Sequence, residues 1–114
     1  MKTFSSRYEL NATKGAENRL NGHAFEHRVM RKMKKRPRVL NVTHSAGSYG
    51  LVDIISIFPN KIVCTVCKRN GYMPPKERRE LEHFIELSPD NIEVEFVYYI
   101  SERKMKTIIM KKAG

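Results

Sequence analysis

The chain lacks any long apolar run, since no stretch approaches the roughly 20 apolar residues that a membrane-spanning helix needs. Its first residues, MKTFSSRYELNATKG, also lack the apolar core of a signal peptide. We therefore expect an intracellular, cytoplasmic protein without membrane contacts. Its 114 residues are enough for one modest core but not for two, so a single domain is predicted.

Cysteine is scarce, and its spacing does not predict a metal site. Cys64 and Cys67 form a Cys-x-x-Cys pair, but no second Cys or His pair completes a tetrahedral zinc site. His23 and His27 are four residues apart, yet no His/Cys cluster forms around them. Alternation along a strand sends the two thiols to opposite faces, which argues against a disulfide between them. We predict two buried, chemically inert thiols.

Acidic residues are few, with 12 Asp and Glu against 22 Lys and Arg, which gives a formal net charge of +10. The imbalance is concentrated in the first third of the chain. The basic residues there are Lys2, Arg7, Lys14, Arg19, Arg28, Arg31, Lys32, Lys34, Lys35, Arg36 and Arg38. Such a concentration favours a nucleic-acid partner, because each neutralised phosphate releases counterions. The alternative is an ordinary solvated helix face.

The N-terminal part divides into an arm and a helix. Residues 1–15 carry no sustained periodicity and are predicted to form a mobile basic arm, which leaves 16–114 as the folded domain. From about 17 to 35, apolar residues recur every four positions, and this spacing predicts an amphipathic helix. The residues of this apolar stripe are Phe25, Val29 and Met33.

Two apolar runs rich in β-branched residues follow, at 51–58 and 62–68. A short turn joins them, so they are expected to pair as a hairpin of strands buried on both faces. The other predicted elements are a strand at 39–43, a helix at 75–87, and strands at 92–100 and 105–110. This order predicts an α/β domain with a mixed, mainly antiparallel central sheet flanked by helices.

The hairpin brings an acid and a lysine to one end of the sheet. Asp53 lies near the start of the first run and Lys68 closes the second, while Glu26 could enter from the preceding helix. Phosphodiester hydrolysis can use a divalent metal held by carboxylates, with a lysine or the metal readying the water. Without further context, Asp53 would be a turn or capping residue and Lys68 a strand-end lysine.

Three sequence segments together resemble one nuclease family. They are RLNGHAFEHRV at 19–29, SAGSYGLVDII at 45–55 and VCK at 66–68. In this order, with these elements between them, the chain resembles the archaeal Holliday junction resolvases and their archaeal-virus relatives. These belong to the PD-(D/E)XK, or restriction-endonuclease-like, nuclease superfamily. The resemblance extends over roughly residues 17–87.

The resemblance implies a role for each matching residue. Glu26 and Asp53 would hold Mg²⁺ (or Mn²⁺), and the backbone carbonyl of Cys67 would be a further metal ligand. Lys68 would orient or activate the attacking water. A loop serine would lie near the scissile phosphate, and Ser48 is preferred to Ser45 for this role because it directly precedes the aspartate strand.

The chain departs from the family pattern at Val66, where the family has its second metal-binding acid. Valine cannot bind a cation, so three alternatives stay open. The acid could have migrated to the second helix as Glu77 or Glu80, or Glu26 and Asp53 could suffice. Alternatively, catalysis could be lost, which would leave an inactive pseudo-nuclease that binds DNA. A small RNA-binding or regulatory protein is a further reading.

The resemblance also implies a homodimer that cleaves branched, four-way DNA in a structure-specific way. One domain supplies one site, and a junction presents two scissile strands related by a two-fold axis. The predicted dimer surface consists of Val94, Phe96, Tyr98 and Ile100. The predicted DNA contacts are Arg19, Arg28, Arg31, Lys32, Lys35 and Arg69. Tyr72, Tyr98 and Tyr99 could stack on exposed bases.

Overall fold

The computed structural model describes residues 24–45, 51–102 and 104–114. The predicted basic arm at 1–15 and the predicted start of the first helix lie outside the described residues. Within those ranges, no helix has the length and apolar character needed to cross a membrane.

Helix α1 is described over residues 24–34 and carries the apolar stripe expected from the sequence. Phe25, Val29 and Met33 are each only 2% exposed, so this side of the helix is covered by the sheet. The chain leaves the helix at a turn before Pro37, which cannot continue a helical hydrogen-bond ladder.

Among the described residues, five strands form one sheet in the order β1-β2-β3-β4-β5. The strands are β1 (Asn41–His44), β2 (Ile54–Ile57), β3 (Ile62–Cys67), β4 (Ile92–Ser101) and β5 (Lys104–Lys111). Only β3 and β4 pair in parallel, and the other three pairs are antiparallel. Helix α2 (Pro75–Leu87) connects the parallel pair, because parallel neighbours need a long crossover. The predicted fold class is therefore confirmed.

The predicted hairpin of β2 and β3 is present, with Ile54 opposite Thr65 and Ile57 opposite Ile62. Beyond the hairpin, β3 runs alongside β4, and Cys67 pairs with Val97. Strand β3 therefore lies in the middle of the sheet with neighbours on both sides.

Helices α1 and α2 cover opposite faces of the sheet. On the α1 side, Val63 and Cys67 pack with the apolar stripe of that helix. On the α2 side, Cys64 and Val66 pack with the fully buried Leu81. Strand β3 is consequently buried on both faces, and the two cysteines are free and buried on opposite sides, as the alternation predicts.

Two details of the predicted strands are wrong. The first strand of the hairpin spans Ile54–Ile57 rather than 51–58, and Ile57 is 38% exposed, so β2 is not buried on both faces. In the predicted dimer surface, Val94 and Phe96 are 0% and 8% exposed because they pack beneath α2. Ile100, near the end of β4, is 51% exposed.

Two buried carboxylates on β4 are paired with basic side chains. Glu95 is 2% exposed and accepts two hydrogen bonds from Arg36, each 2.8 Å long, in a bidentate ion pair. Glu93 is 5% exposed; Lys61 lies 3.4 Å from its carboxylate, and the Ala113 N–H donates to it at 3.3 Å. The segment after α1 is thus anchored to the sheet by Arg36.

Candidate functional site

Asp53 is held rigidly at the open end of the β2–β3 ladder. Its N–H donates to the carbonyl of Thr65 at 3.0 Å, and its carbonyl accepts the N–H of Ser45 at 2.8 Å. Its carboxylate Oδ2 accepts the Cys67 N–H at 2.7 Å. In a longer ladder this N–H would donate to a backbone carbonyl of the neighbouring strand. The side chain therefore takes the place of the backbone in the ladder, and its position is fixed by β3.

The carboxyl group of Asp53 has an unusually high pKa. Burial is the main cause, while the Cys67 N–H opposes it; the charge of Glu26 and a hydrogen bond with Glu26 raise the pKa further, and Lys68 lowers it. The net effect is a pKa of about 6 in place of the usual 3.8. Two carboxyl groups thus lie close together within reach of a lysine charge.

Glu26 is joined to His44, which the sequence did not single out as a site residue. Glu26 Oε2 and His44 Nε2 are 2.6 Å apart, and both side chains are largely buried. His44 ends β1, opposite Ile54, so the sheet places it next to the Asp53 position. Its ring centroid lies 5.5 Å from that of His27. Only the β1–β2 register could have revealed this placement in advance.

Lys68 follows β3 directly and points toward α2. Its Nζ lies 2.6 Å from Oε2 of Glu77, one of the two candidate migrated acids. Glu77 contacts the lysine rather than joining the Glu26–Asp53 pair, and Glu80, further along α2, is exposed. Glu77 therefore holds the predicted water-activating amine in position.

Val66 is part of the core rather than of an open site. It is 3% exposed and packs with Leu81, Val94 and Phe96 on the α2 side of the sheet. The position where the resemblance implies a second acid is thus filled by an apolar contact between the sheet and α2.

Replacing Val66 by Glu is expected to lower the free energy of unfolding by about 2 to 3 kcal/mol, because a carboxyl group enters an apolar cluster. This loss of unfolding free energy should grow as pH rises, because the ionised form of the new carboxyl group is the more costly to bury. Urea denaturation at several pH values measures both effects. Leu40→Glu, at a position 67% exposed, is the control and should change stability by less than about 0.5 kcal/mol. A variant as stable as the wild type would show that Val66 is not a core residue.

The oxygen ligands near Asp53 could bind a hard cation only if water and phosphate oxygens completed its coordination shell. Glu26 and Asp53 offer carboxylate oxygens, and the Cys67 carbonyl faces the same neighbour as its N–H, which bonds Asp53. Mg²⁺ is commonly held by one or two carboxylates, with water and phosphate oxygens completing its shell. Within the part of the chain that the structure describes, no group of three or more His, Cys, Asp or Glu side chains could hold a metal.

Comparisons with family models, curated proteins and solved structures find no match for this chain.

The predicted DNA-contacting cations that the structure describes are exposed. Arg28, Arg31 and Lys32 project from α1 on the sides away from its apolar stripe, and Lys35 follows the helix. Arg69 follows Lys68 in the turn after β3. Most of these cations thus lie on or just after α1, the helix that carries Glu26, and Arg69 lies just after β3, whose last N–H binds Asp53. Arg19 and Ser48 lie outside the described residues, as does His23.

Proposed function

We propose that this protein is a structure-specific, Mg²⁺-dependent endonuclease that acts on branched DNA. The observation that carries the proposal is the position of Asp53, whose carboxylate is fixed by the Cys67 N–H next to Glu26 and within the field of Lys68. Asp53 and Lys68 lie at one end of the β2–β3 hairpin, and Glu26 comes from α1. Two carboxylates that can bind a hard cation therefore lie near a lysine that can act on water or phosphate, which suits metal-dependent phosphodiester hydrolysis.

The chain's own residues support this chemistry in distinct ways. A bound Mg²⁺ would neutralise charge that develops on the scissile phosphate. Asp53, with its pKa of about 6, is mainly ionised at pH 7 and can bind a cation through an oriented oxygen. Lys68 is held by Glu77 at the same end of the sheet, where its amine can donate to a phosphate oxygen or to water.

The exposed cations supply the affinity for DNA in this proposal. Contacts to phosphates are independent of sequence and become weaker as salt rises. We therefore expect binding that selects DNA shape rather than base sequence. Removing one phosphate-contacting cation, as in Lys32→Ala, should reduce the slope of log K against log salt by about 1.

A homodimer remains part of the proposal, because a four-way junction offers two symmetric cleavage positions. Since Val94 and Phe96 are buried, its apolar surface would have to come from exposed residues such as Ile100, Ile108 and Ile109.

A second candidate function is DNA binding without cleavage. Two observations favour it: Val66 is committed to the core, and Lys68 is already paired with Glu77. In this case the basic surface would work as proposed while the carboxylate pair holds no metal.

Incubating the protein with an end-labelled four-way junction, with Mg²⁺ or with EDTA, distinguishes these functions. Paired, symmetric nicks that require Mg²⁺ support the endonuclease. Tight binding to the junction without such nicks supports the second candidate. Blunt duplex and RNA of the same length, at the same salt concentration, test whether the preference is for branched DNA. Equal affinity for all three would contradict structure-specific binding.

The Lys68–Glu77 pair yields a prediction with a matched control. Glu77→Gln removes the charge that holds the lysine amine, so cleavage of the junction should slow by about tenfold. Glu80→Gln, on the same helix and exposed, should leave the rate unchanged. Single-turnover nicking rates at saturating protein make the comparison independent of DNA affinity. Equal rates for both variants would show that Glu77 does not position Lys68.

A further inference from the structure

A pocket of about 470 Å³ lies between α1, the turn after β3 and the end of β4. Its wall includes Phe25 and Arg28 of α1, Arg69 and Asn70 of the turn after β3, and Tyr99 of β4. Its volume falls in the range of about 300 to 1,000 Å³ that is typical of ligand sites. The pocket therefore has the size of a small ligand rather than of a protein segment.

The lining combines two guanidinium groups with an ordered aromatic ring. Arg28 Nη1 donates a 2.6 Å hydrogen bond to the Tyr99 hydroxyl. The Tyr99 ring packs against Phe25, with centroids 4.5 Å apart and planes inclined by 49°. Arg28 and Tyr99 thus hold each other in place, while Arg69 and Asn70 supply further donors on another side of the pocket.

This chemistry suits one nucleotide. Guanidinium groups bind phosphate oxygens through paired N–H donors, and an aromatic ring or a guanidinium plane can stack on a base. Asn70 Oδ1 accepts the Tyr72 N–H at 3.1 Å, and the amide NH₂ can donate to the edge of a base. The charged residues of the lining are Arg28, Arg69 and Glu102. Two positive charges against one negative charge favour an anionic ligand.

The pocket and the proposed site share two segments of the chain. Phe25 precedes Glu26 on α1, and Arg69 follows Lys68 after β3. A ligand in the pocket would therefore contact the same two segments that carry Glu26 and Lys68.

We propose that this pocket binds a single unpaired nucleotide next to the scissile phosphate. The inference rests on the proposed function insofar as the polymer is DNA. A base must leave its stack to enter, which costs a few kcal/mol in duplex DNA and least at an already unpaired position. The pocket would therefore make the protein prefer branch points and forks to continuous duplex.

The test uses a forked duplex with the fluorescent base 2-aminopurine at its first unpaired position, and a blunt duplex of the same length. Both are titrated in EDTA, so that cleavage plays no part. Wild-type protein should quench the fluorophore by stacking and should bind the fork more tightly. Arg28→Ala and Arg69→Ala should each reduce the fork-to-blunt affinity ratio at least about fivefold and weaken the quench.

Arg31→Ala is the matched control, because Arg31 is exposed on α1 but does not line the pocket. It should weaken fork and blunt binding by the same factor and leave the quench intact. Tyr99→Phe keeps the ring and should retain the quench, which separates stacking from the hydroxyl contact. Arg28 and Arg69 are exposed, so their variants should fold, and circular dichroism checks this.

The proposal would be contradicted if Arg28→Ala and Arg69→Ala reduced the affinities for fork and blunt duplex by the same factor. It would also be contradicted if the wild type bound without preferring the fork or without quenching the fluorophore. The nicking assay with Mg²⁺ is a separate result. A quench without nicking would support nucleotide binding in the pocket and contradict the endonuclease proposal. Nicking without a quench would support the endonuclease and contradict nucleotide binding in the pocket.

Discussion

Asp53→Asn is expected to lower Mg²⁺-dependent nicking of a four-way junction by about 10³-fold or more, because a neutral amide binds the cation poorly. The amide oxygen can still accept the Cys67 N–H, which Asp53 accepts at 2.7 Å, so the local structure should persist. DNA affinity should stay within about twofold, since the phosphate-contacting cations are unchanged. Nicking rates and binding titrations measure the two quantities separately.

The same substitution should make the protein more stable at neutral pH. Because burial raises the pKa of Asp53 to about 6 from 3.8, the ionised form disfavours folding. The wild type should thus lose stability as pH rises from 3.8 through about 6, and Asp53→Asn should lack this loss. The gain above pH 6 is on the order of 1 kcal/mol once solvent screening is allowed for.

Asp90→Asn, at an exposed turn before β4, is the control and should change neither activity nor stability. Mg²⁺ should raise the melting temperature of the wild type but not that of Asp53→Asn. An Asp53→Asn variant that still cleaves would remove Asp53 from the site. A variant less stable than the wild type at pH 7 would show that the carboxylate contributes favourably to folding.

Arg36→Ala is expected to lower the free energy of unfolding by about 3 to 5 kcal/mol. The reason is that Glu95, which is 2% exposed, would lose its bidentate partner and remain as a buried charge. Removing the other partner should cost less, because the Arg36 side chain is 30% exposed and can reach water. Glu95→Gln should thus be the milder variant of the two.

Urea denaturation at pH 7 checks this asymmetry. Arg36→Ala should be less stable than Glu95→Gln, and Lys35→Ala, at an exposed neighbouring position, should be close to the wild type. Equal losses in both variants would mean that the burial of Glu95 does not determine the cost.

Most of the architecture could be predicted from local patterns. The helical spacing of Phe25, Val29 and Met33 identified the face of α1 that the sheet buries. Pro75 at the start of a 13-residue amphipathic segment gave α2 its observed bounds, Pro75–Leu87. Periodicity reports such features because they depend on neighbours within one element.

Contacts between distant elements were not predictable in the same way. Alternation groups Val94, Phe96 and Tyr98 on one side of β4, but it does not reveal that α2 covers only part of that side. The Arg36–Glu95 pair joins residues that are 59 positions apart, and Arg36 looked like one more surface cation. His44 reaches Glu26 only because β1 pairs with the start of β2.

The opposite placement of Cys64 and Cys67 gives the protein a built-in pair of reporters for its own motions. Burial raises the pKa of both thiols, so alkylation at neutral pH requires a local opening. Cys67 reports the separation of α1 from the sheet, and Cys64 reports that of α2. Fragmentation of the labelled peptide would assign each label to Cys64 or Cys67, so the two alkylation rates could be followed separately. Their comparison would show which helix separates from the sheet first when DNA binds.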